Sequence, residues 1–155
     1  MTPLTDVPAK LEYVGFWARV GAALIDTLLI LAIVGPLTYW VFGPGYFTAG
    51  SGGGFGRLVD FLINAALPAV AVVTLWTYRQ ATPGKMVIGA RIIDERTGGP
   101  PSTGQLIGRY FGYYVSMIPC GLGLLWVAFD PRKQGWHDKL AHTLVVRDPS
   151  APAAR

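Results

Sequence analysis

The first long apolar run of this chain, residues 16–42, contains two charged side chains, Arg19 and Asp26. A helix needs about 20 mainly apolar residues to cross a bilayer, and this run is long enough. An isolated carboxylate at hydrocarbon depth costs about 2.5 kcal/mol or more. The rest of the protein must therefore partner, hydrate or neutralise Asp26. We treat it as a candidate functional residue and keep a structural role as the alternative.

The composition is that of an integral membrane protein. Hydrophobic residues make up 52% of the chain and charged residues only 14%, against about 25% charged residues in soluble domains. The length of 155 residues fits one membrane domain, which we place at 15–148. We expect a cytoplasmic N-terminal segment at 1–14 and a disordered tail at 149–155.

The net charge of +4 does not indicate a nucleic-acid partner. Lys and Arg lie mostly in two stretches beside apolar runs, which is typical of cytoplasmic flanks. Cys120 is the only cysteine, so an intrachain disulfide is impossible.

Three apolar segments divide the chain: 16–42, 58–78 and 106–129. The glycine-rich stretch 43–56 contains no Lys or Arg. We predict it as a flexible loop outside the cell. The basic stretch 79–105 is then cytoplasmic, and its β-branched residues 85–94 predict a strand.

The third apolar segment allows two topologies. A single crossing would put the basic stretch 130–155 outside, against the usual charge bias. A re-entrant segment, bent at Pro119 and Gly121, would keep it inside. Residues 143–146 form a short β-branched run that could pair with the strand at 85–94 only in the second arrangement.

We therefore predict an all-α membrane protein. It is a compact helical bundle with two full spans, a broken or re-entrant third apolar segment and a small cytoplasmic β element.

Arg19 and Asp26 are seven residues apart, nearly two helical turns, so both project from one face. Their Cα atoms are about 10 Å apart along the axis, which is too far for a relaxed ion pair. Small residues between them would let another helix approach. Leu24, Leu28 and Leu31 form the opposite face and suit lipid. The charges either fasten the bundle or make Asp26 a protonatable or cation-binding group.

A second polar face lies on the next apolar segment, where Asp60, Asn64 and Pro68 follow at four-residue spacing. A carboxylate, an amide and a carbonyl freed by Pro68 could ligate a hard cation. The alternative is that Asp60 is the solvated start of the helix. Arg109 lies near the start of the third apolar segment, four residues before Tyr113, so both side chains would project from one helix face.

The densest polar cluster is 130–142. His137 and His142 are five residues apart, which does not match the helical zinc motif, so we predict no metal site. An unshifted His137 would titrate near neutral pH and could relay protons. More simply, this segment lies at the membrane interface, where Asp130 or Asp138 meets Arg19.

Catalytic signatures are absent from the sequence. Residues 82–85, Thr-Pro-Gly-Lys, lack the glycines and the Ser or Thr of a Walker motif, and no nucleophile elbow is present. We predict no enzymatic activity and no cofactor.

Together these residues resemble the RDD family of small prokaryotic membrane proteins. The resemblance covers residues 12–148 and is carried by Gly15-Phe16-Trp17-Ala18-Arg19 through Asp26, by the stretch 82–85, by Arg132-Lys133-Gln134-Gly135-Trp136-His137-Asp138-Lys139 and by 143–146. The family is named for one arginine and two aspartates. Arg19 and Asp26 match the first two, and Asp138, rather than Asp130, is the better match to the third.

The resemblance implies a protein of the prokaryotic inner or plasma membrane. The apolar segments make it multi-pass, and the distribution of Lys and Arg places its N-terminus in the cytoplasm. The resemblance suggests transport of a monovalent cation or small ligand, coupled to protons. Asp26 would titrate or ligate, Arg19 would be its electrostatic counterpart, and Asp138 would pair with Arg19. A chain this short would act in the bilayer as a homo-oligomer. The alternative is a non-transporting accessory or assembly factor whose buried charges are structural.

Overall fold

The computed structural model of the chain describes residues 11–148. The expected tail at 149–155, and residues 1–10 of the expected N-terminal segment, lie outside that range. The helices are α1 (Phe16–Phe42), α2 (Tyr46–Ala49), α3 (Phe55–Phe61), α4 (Leu67–Arg79), α5 (Pro83–Val87), α6 (Thr103–Met117), α7 (Leu122–Phe129) and α8 (Trp136–Ala141), with a π-helical turn at Leu62–Ala66. The strands are β1 (Glu12–Tyr13), β2 (Ala90–Asp94) and β3 (Thr143–Arg147).

Within residues 11–148, two helical stretches are long and apolar enough to cross a membrane, Phe16–Phe42 and Phe55–Val87. The first is the span predicted from sequence. Its leucine face is open, since Leu24, Leu28 and Leu31 are between 60% and 67% exposed. That face suits acyl chains, as the sequence predicts.

The prediction of a flexible loop at 43–56 is wrong in part. The short helix α2 forms within it, and α3 already begins at Phe55. The ring of Tyr46 stacks on Phe42 at 5.2 Å, and its hydroxyl donates to Asp60 at 2.9 Å. These two contacts hold the turn against the ends of both flanking helices.

The strand predicted at 85–94 is wrong in its first half, because residues 83–87 form α5 and the strand begins only at Ala90. Thr82 is extended and Pro83 occupies the first turn of α5, where its fixed φ suits a helix start. Gly89 then turns the chain with a φ of +67°.

The third apolar segment is a pair of helices, α6 and α7, bent by 100° between them. At the start of α6, the Gln105 side chain donates to the carbonyl of His142 beside β3. After α7, the Lys133 carbonyl accepts a bond from Arg19 near the start of α1. Both outer ends of the bent pair therefore lie at the end of the molecule that carries the sheet.

The three strands form an antiparallel sheet in the order β1-β3-β2. Val145 of β3 faces Ile92 of β2, and Val146 faces Tyr13 of β1. The predicted pairing of 143–146 with the preceding strand is thus confirmed. The main core lies between this sheet and the helices and contains Val14, Trp76, Ala90, Ile92, Leu106 and Val145.

Candidate functional site

Asp138 joins two arginines that are far apart in the sequence. Its Oδ2 accepts a bond from Arg19 Nη1 at 2.6 Å, and its Oδ1 accepts from Arg109 Nη1. Asp138 and Arg109 are both fully buried, and Arg19 is nearly so. The Arg109 Nη1 also donates to the Thr143 hydroxyl at 2.7 Å. One carboxylate therefore connects α1, α6 and α8, and Arg109 extends the connection to β3.

Local structure brings these side chains to one place. A capping box starts α6, in which Ser102 and Gln105 exchange bonds with each other's backbone N–H. Arg109 follows almost two turns later. A Cβ on Gly112 would lie 2.9 Å from the Cα of His137, so only glycine lets α8 approach α6 this closely. Asp138 itself accepts the Gly135 N–H at 3.0 Å and caps α8.

The Asp138 carboxyl stays ionised. Burial works to raise its pKa, but the guanidinium groups of Arg109 and Arg19 outweigh that effect and hold the pKa of Asp138 well below its usual range. Such a group keeps its negative charge throughout the physiological pH range.

His137 is buried beside this network and is neutral near pH 7. Its ring stacks on Tyr113 at 4.0 Å, and its backbone N–H donates to the Ser116 hydroxyl at 3.1 Å. Burial and the positive charges of Arg109 and Arg19 lower the pKa of His137 to about 3, although Asp138 opposes the shift. The near-neutral titration expected for an unshifted histidine therefore does not occur here.

Asp26 lies in a second, separate cluster and does not contact Arg19. Its Oδ2 accepts the Thr82 hydroxyl at 2.5 Å, and its Oδ1 accepts the Gly84 N–H at 2.7 Å. Because Gly84 lies in the first turn of α5, Asp26 caps that helix from across the structure. The partner that the sequence argument demanded for Asp26 is thus the stretch 82–84.

Arg19 is turned away from Asp26. Its Nε donates to the Val14 carbonyl at 3.0 Å and its Nη2 to the Lys133 carbonyl at 2.6 Å, besides the ion pair with Asp138. Hence the expected pairing of Arg19 with Asp138 is confirmed. Arg19 and Asp26 are not paired with each other, as their separation of two helical turns predicts, and each has nearer partners.

Asp130 makes different contacts from Asp138. It pairs with Lys139 and accepts the backbone N–H groups of Arg132 and Gln134 at 3.1 Å each. Burial raises its pKa, but these contacts, led by Lys139, lower it overall. Asp130 closes the turn before α8 and is not the partner of Arg19.

The second polar face forms a hydrogen-bonded chain between the two candidate spans. The buried Thr38 hydroxyl donates to Asn64 Oδ1 at 3.2 Å, and Asn64 Nδ2 donates to Asp60 at 2.7 Å. Asn64 lies in the π-helical turn. Arg109, predicted on a comparable polar face, instead belongs to the Asp138 network. Across residues 11–148, no group of three His, Cys, Asp or Glu is placed to hold a metal ion.

The arginine Arg19 and the aspartate Asp26 lie in α1, and the second aspartate, Asp138, lies in α8. The sequence model of the RDD family matches residues 13–142. The chain belongs to the RDD family. Within this RDD protein the arginine Arg19 and the late aspartate Asp138 form an ion pair, whereas Asp26 holds α5.

Bacterial relatives share most of the chain. The uncharacterised protein YxaI of Bacillus subtilis is 32% identical over 151 residues, covering 85% of this chain and 95% of the relative. The uncharacterised membrane protein YteJ of the same organism is 31% identical, covering 88% and 82%. RP437 of Rickettsia prowazekii, also uncharacterised, is 31% identical over 59% of this chain, which spans half of that relative. No solved structure matches the chain.

Sequence reasoning assigned no role in the site to several residues. Thr82 and Gly84 were noted as a family motif but not as partners of Asp26. Their signal was present, since an extended threonine before Pro-Gly predicts a helix start that needs an acceptor. Thr143 carried no such signal, because only the packing of α6 near β3 brings its hydroxyl to Arg109.

Proposed function

We propose that this RDD protein is a membrane-embedded accessory or assembly factor whose buried charges hold its fold, and that it catalyses no reaction. One observation carries the proposal: every carboxylate oxygen of Asp26 and Asp138 accepts a bond from another part of the chain. Those bonds tie α1 to α5 and α1 to α6 and α8. Carboxylates whose oxygens are occupied in this way hold the helices together and are poor ligands for a transported ion.

The protonation states support the same role. The pKa of Asp138 lies well below its usual range and the pKa of His137 is about 3. Neither group changes charge between pH 5 and 8, so neither serves as a proton relay in that range. The ion pairs therefore remain intact at all physiological pH values.

We further propose that the sheet faces the cytoplasm and that the chain is multi-pass in the cell membrane. Basic side chains lie at the sheet end and follow the positive-inside rule: Arg79, Arg91, Arg96, Arg132 and Lys133. The bent α6–α7 pair would then enter the membrane from the cytoplasm and return to it, with the exposed apolar side chains of its tip, Met117, Ile118 and Leu122, lying in the bilayer.

Cysteine labelling tests this orientation. In a Cys120→Ala background, we introduce Arg91→Cys on the exposed face of β2 or Gly52→Cys in the loop before α3. In intact cells an impermeant maleimide should label Gly52→Cys only, and cell lysis should expose Arg91→Cys. Labelling of Arg91→Cys in intact cells would reverse the proposed orientation.

The accessory role is tested by comparing stability with ion flux. Purified Asp26→Asn protein should unfold at a lower temperature than the native chain, because the amide cannot accept both bonds. In proteoliposomes under a sodium or potassium gradient, native and Asp26→Asn proteins should both leave the internal pH unchanged. Native flux that Asp26→Asn abolishes at unchanged stability would overturn the accessory role.

Cation transport coupled to protons is the second candidate, and the Thr38–Asn64–Asp60 chain favours it. These polar groups line the contact between the two candidate spans, beside a π-helical turn of the kind often found at functional sites. Because residues 11–148 supply two candidate spans, or three if the bent pair crosses, a homo-oligomer would be needed to enclose a path.

The transport candidate predicts that Asp60→Asn lowers a cation-driven pH change in proteoliposomes, whereas Asp94→Asn, on β2, does not. Crosslinking in native membranes should yield a discrete oligomer. Equal flux in protein-free and protein-loaded vesicles would reject transport and leave the accessory role.

A further inference from the structure

Buried hydrogen-bond donors between α4, α5 and α6 lack acceptors. Among residues 11–148, the Trp76 Nε1 and the Arg109 Nε and Nη2 are buried with no hydrogen-bond partner. The Lys85 ammonium, on a residue only 8% exposed, likewise has no hydrogen bond or ion pair to this part of the chain. Buried donors are normally satisfied, so this cluster requires an explanation.

The donors surround one aromatic ring. The Lys85 Nζ lies 5.6 Å from the centre of the Trp76 ring, and the Arg109 Cζ lies 5.4 Å from it. Tyr113 stacks against the same ring, and the Arg109 Cζ lies 5.8 Å from the centre of the Tyr113 ring. Two cationic side chains and an indole N–H therefore lie around one aromatic ring.

Basic side chains outnumber acidic side chains in this region. The basic ones are Arg19, Arg109 and Lys85, and the acidic ones are Asp26 and Asp138. Both carboxylates are already occupied, by Arg19 and Arg109 and by the stretch 82–84. Among residues 11–148, no acidic side chain is left to pair with Lys85.

The free edge of Arg109 indicates which anion fits. Its Nη1 is occupied by Asp138 and Thr143, whereas Nε and Nη2, which lie on one edge of the planar guanidinium, have no partner in the described chain. Two parallel N–H groups on such an edge match two oxygens of an oxyanion. A Lys ammonium beside them is a common phosphate ligand.

We propose that Lys85, Arg109 and Trp76 bind a phosphate group, supplied either by free phosphate or by the headgroup of an anionic lipid. The Arg109 Nε–H and Nη2–H would donate to two phosphate oxygens, and the Trp76 N–H would donate to a third. The Lys85 ammonium would offset the negative charge of the phosphate. The position at the sheet end, near the start of α1, is where a headgroup would reach the protein.

Thermal unfolding of the full chain in detergent tests free phosphate. Inorganic phosphate at 10 mM should raise the Tm by several degrees relative to chloride at equal ionic strength, because a ligand that binds only the folded state stabilises it. Lys85→Met and Trp76→Phe should each raise the phosphate concentration that gives half of the Tm shift at least tenfold. Arg91→Gln, which removes an exposed cation on β2, should leave that concentration unchanged.

Nanodiscs test whether the bound phosphate group belongs to a lipid headgroup. Discs of phosphatidylglycerol should raise the Tm of the native chain over discs of phosphatidylcholine, and Lys85→Met should remove that difference. A response to phosphatidylglycerol alone assigns the group to lipid, and a response to inorganic phosphate in detergent assigns it to the free ion.

The Lys85→Met variant also separates binding from packing. If Lys85 binds an anion, the variant should be at least as stable as the native chain without phosphate, because an uncompensated charge is gone. Native protein whose Tm responds to neither phosphate nor phosphatidylglycerol would overturn the proposal, and so would a response that Lys85→Met and Trp76→Phe both retain.

Discussion

Gly84 lies directly against the backbone of α1 at Ala22. A Cβ built on Gly84 would stand 2.0 Å from the Ala22 carbonyl oxygen and 3.0 Å from the Asp26 Cγ. The same glycine donates its N–H to Asp26. Close approach and hydrogen bond thus depend on each other, because any side chain at 84 would push α5 away from the carboxylate.

Gly84→Ala should therefore destabilise the protein. The extra methyl group meets backbone atoms that cannot move aside, and overpacking of this kind costs about 1–3 kcal/mol. Thermal unfolding in detergent measures the loss. Gly108→Ala is the matched control, since a Cβ there meets nothing within 4 Å and alanine favours the helix α6. Equal Tm values for both variants would contradict the close contact.

Thr82→Val should lower stability by about 1 kcal/mol, because it keeps the shape of the side chain but removes the hydroxyl that donates to Asp26. Thr77→Val is the control, as its hydroxyl bonds only to a carbonyl within the same helix. A double-mutant cycle with Asp26→Ala should show coupling between positions 82 and 26. Additive effects would mean that the bond contributes nothing.

Asp138→Asn should be the most damaging single change. It leaves two guanidinium groups without their shared counter-charge, and breaking a buried ion pair typically costs about 3–5 kcal/mol. Asp130→Asn should cost less, because the partner Lys139 is 44% exposed and water replaces the lost interaction. The yield of monodisperse protein and its Tm measure both. A smaller loss for Asp138→Asn than for Asp130→Asn would contradict the structure.

His137 should make stability depend on pH. Its pKa is about 3 in the folded protein and about 6.5 in an unfolded chain, so the unfolded state binds more protons between those values. The contribution of His137 to the free energy of unfolding is therefore fully present above pH 6.5. It is lost as the pH falls toward 3, by about 1.4 kcal/mol per pH unit at most. Asp138, whose folded pKa is also lowered, adds a loss below about pH 4.

The measurement is the Tm at pH 7.5 and pH 5. His137→Gln should show a smaller drop between the two values than the native chain, because the buried titrating ring is gone. His142→Asn, at a mostly exposed histidine, should leave the drop unchanged. An identical pH dependence in His137→Gln and the native chain would show that the ring is not buried neutral.

Much of the architecture could be predicted from patterns along the chain. The 16–42 span follows from apolar length, and the pairing of β3 with β2 follows from two β-branched runs of suitable length. The residues at which helices and strands begin and end were harder to predict. The strand predicted from residue 85 begins at Ala90, because Pro83 and the contact with Asp26 favour a helical turn first. The 43–56 loop contains helical residues because aromatic contacts with neighbouring helices outweigh its glycine content.

The membrane character, the need to partner Asp26 and the family triad are determined by the sequence itself. Hydrophobic length and the cost of a buried charge are properties of residue types, and both can be read without coordinates. Only the tertiary structure decided which groups meet: Asp26 with Thr82 and Gly84, Asp138 with Arg19 and Arg109, and Lys85 with no acceptor in the described chain. Ion pairs and hydrogen bonds require approach within about 3 Å, and such distances between remote segments depend on packing that sequence spacing does not encode.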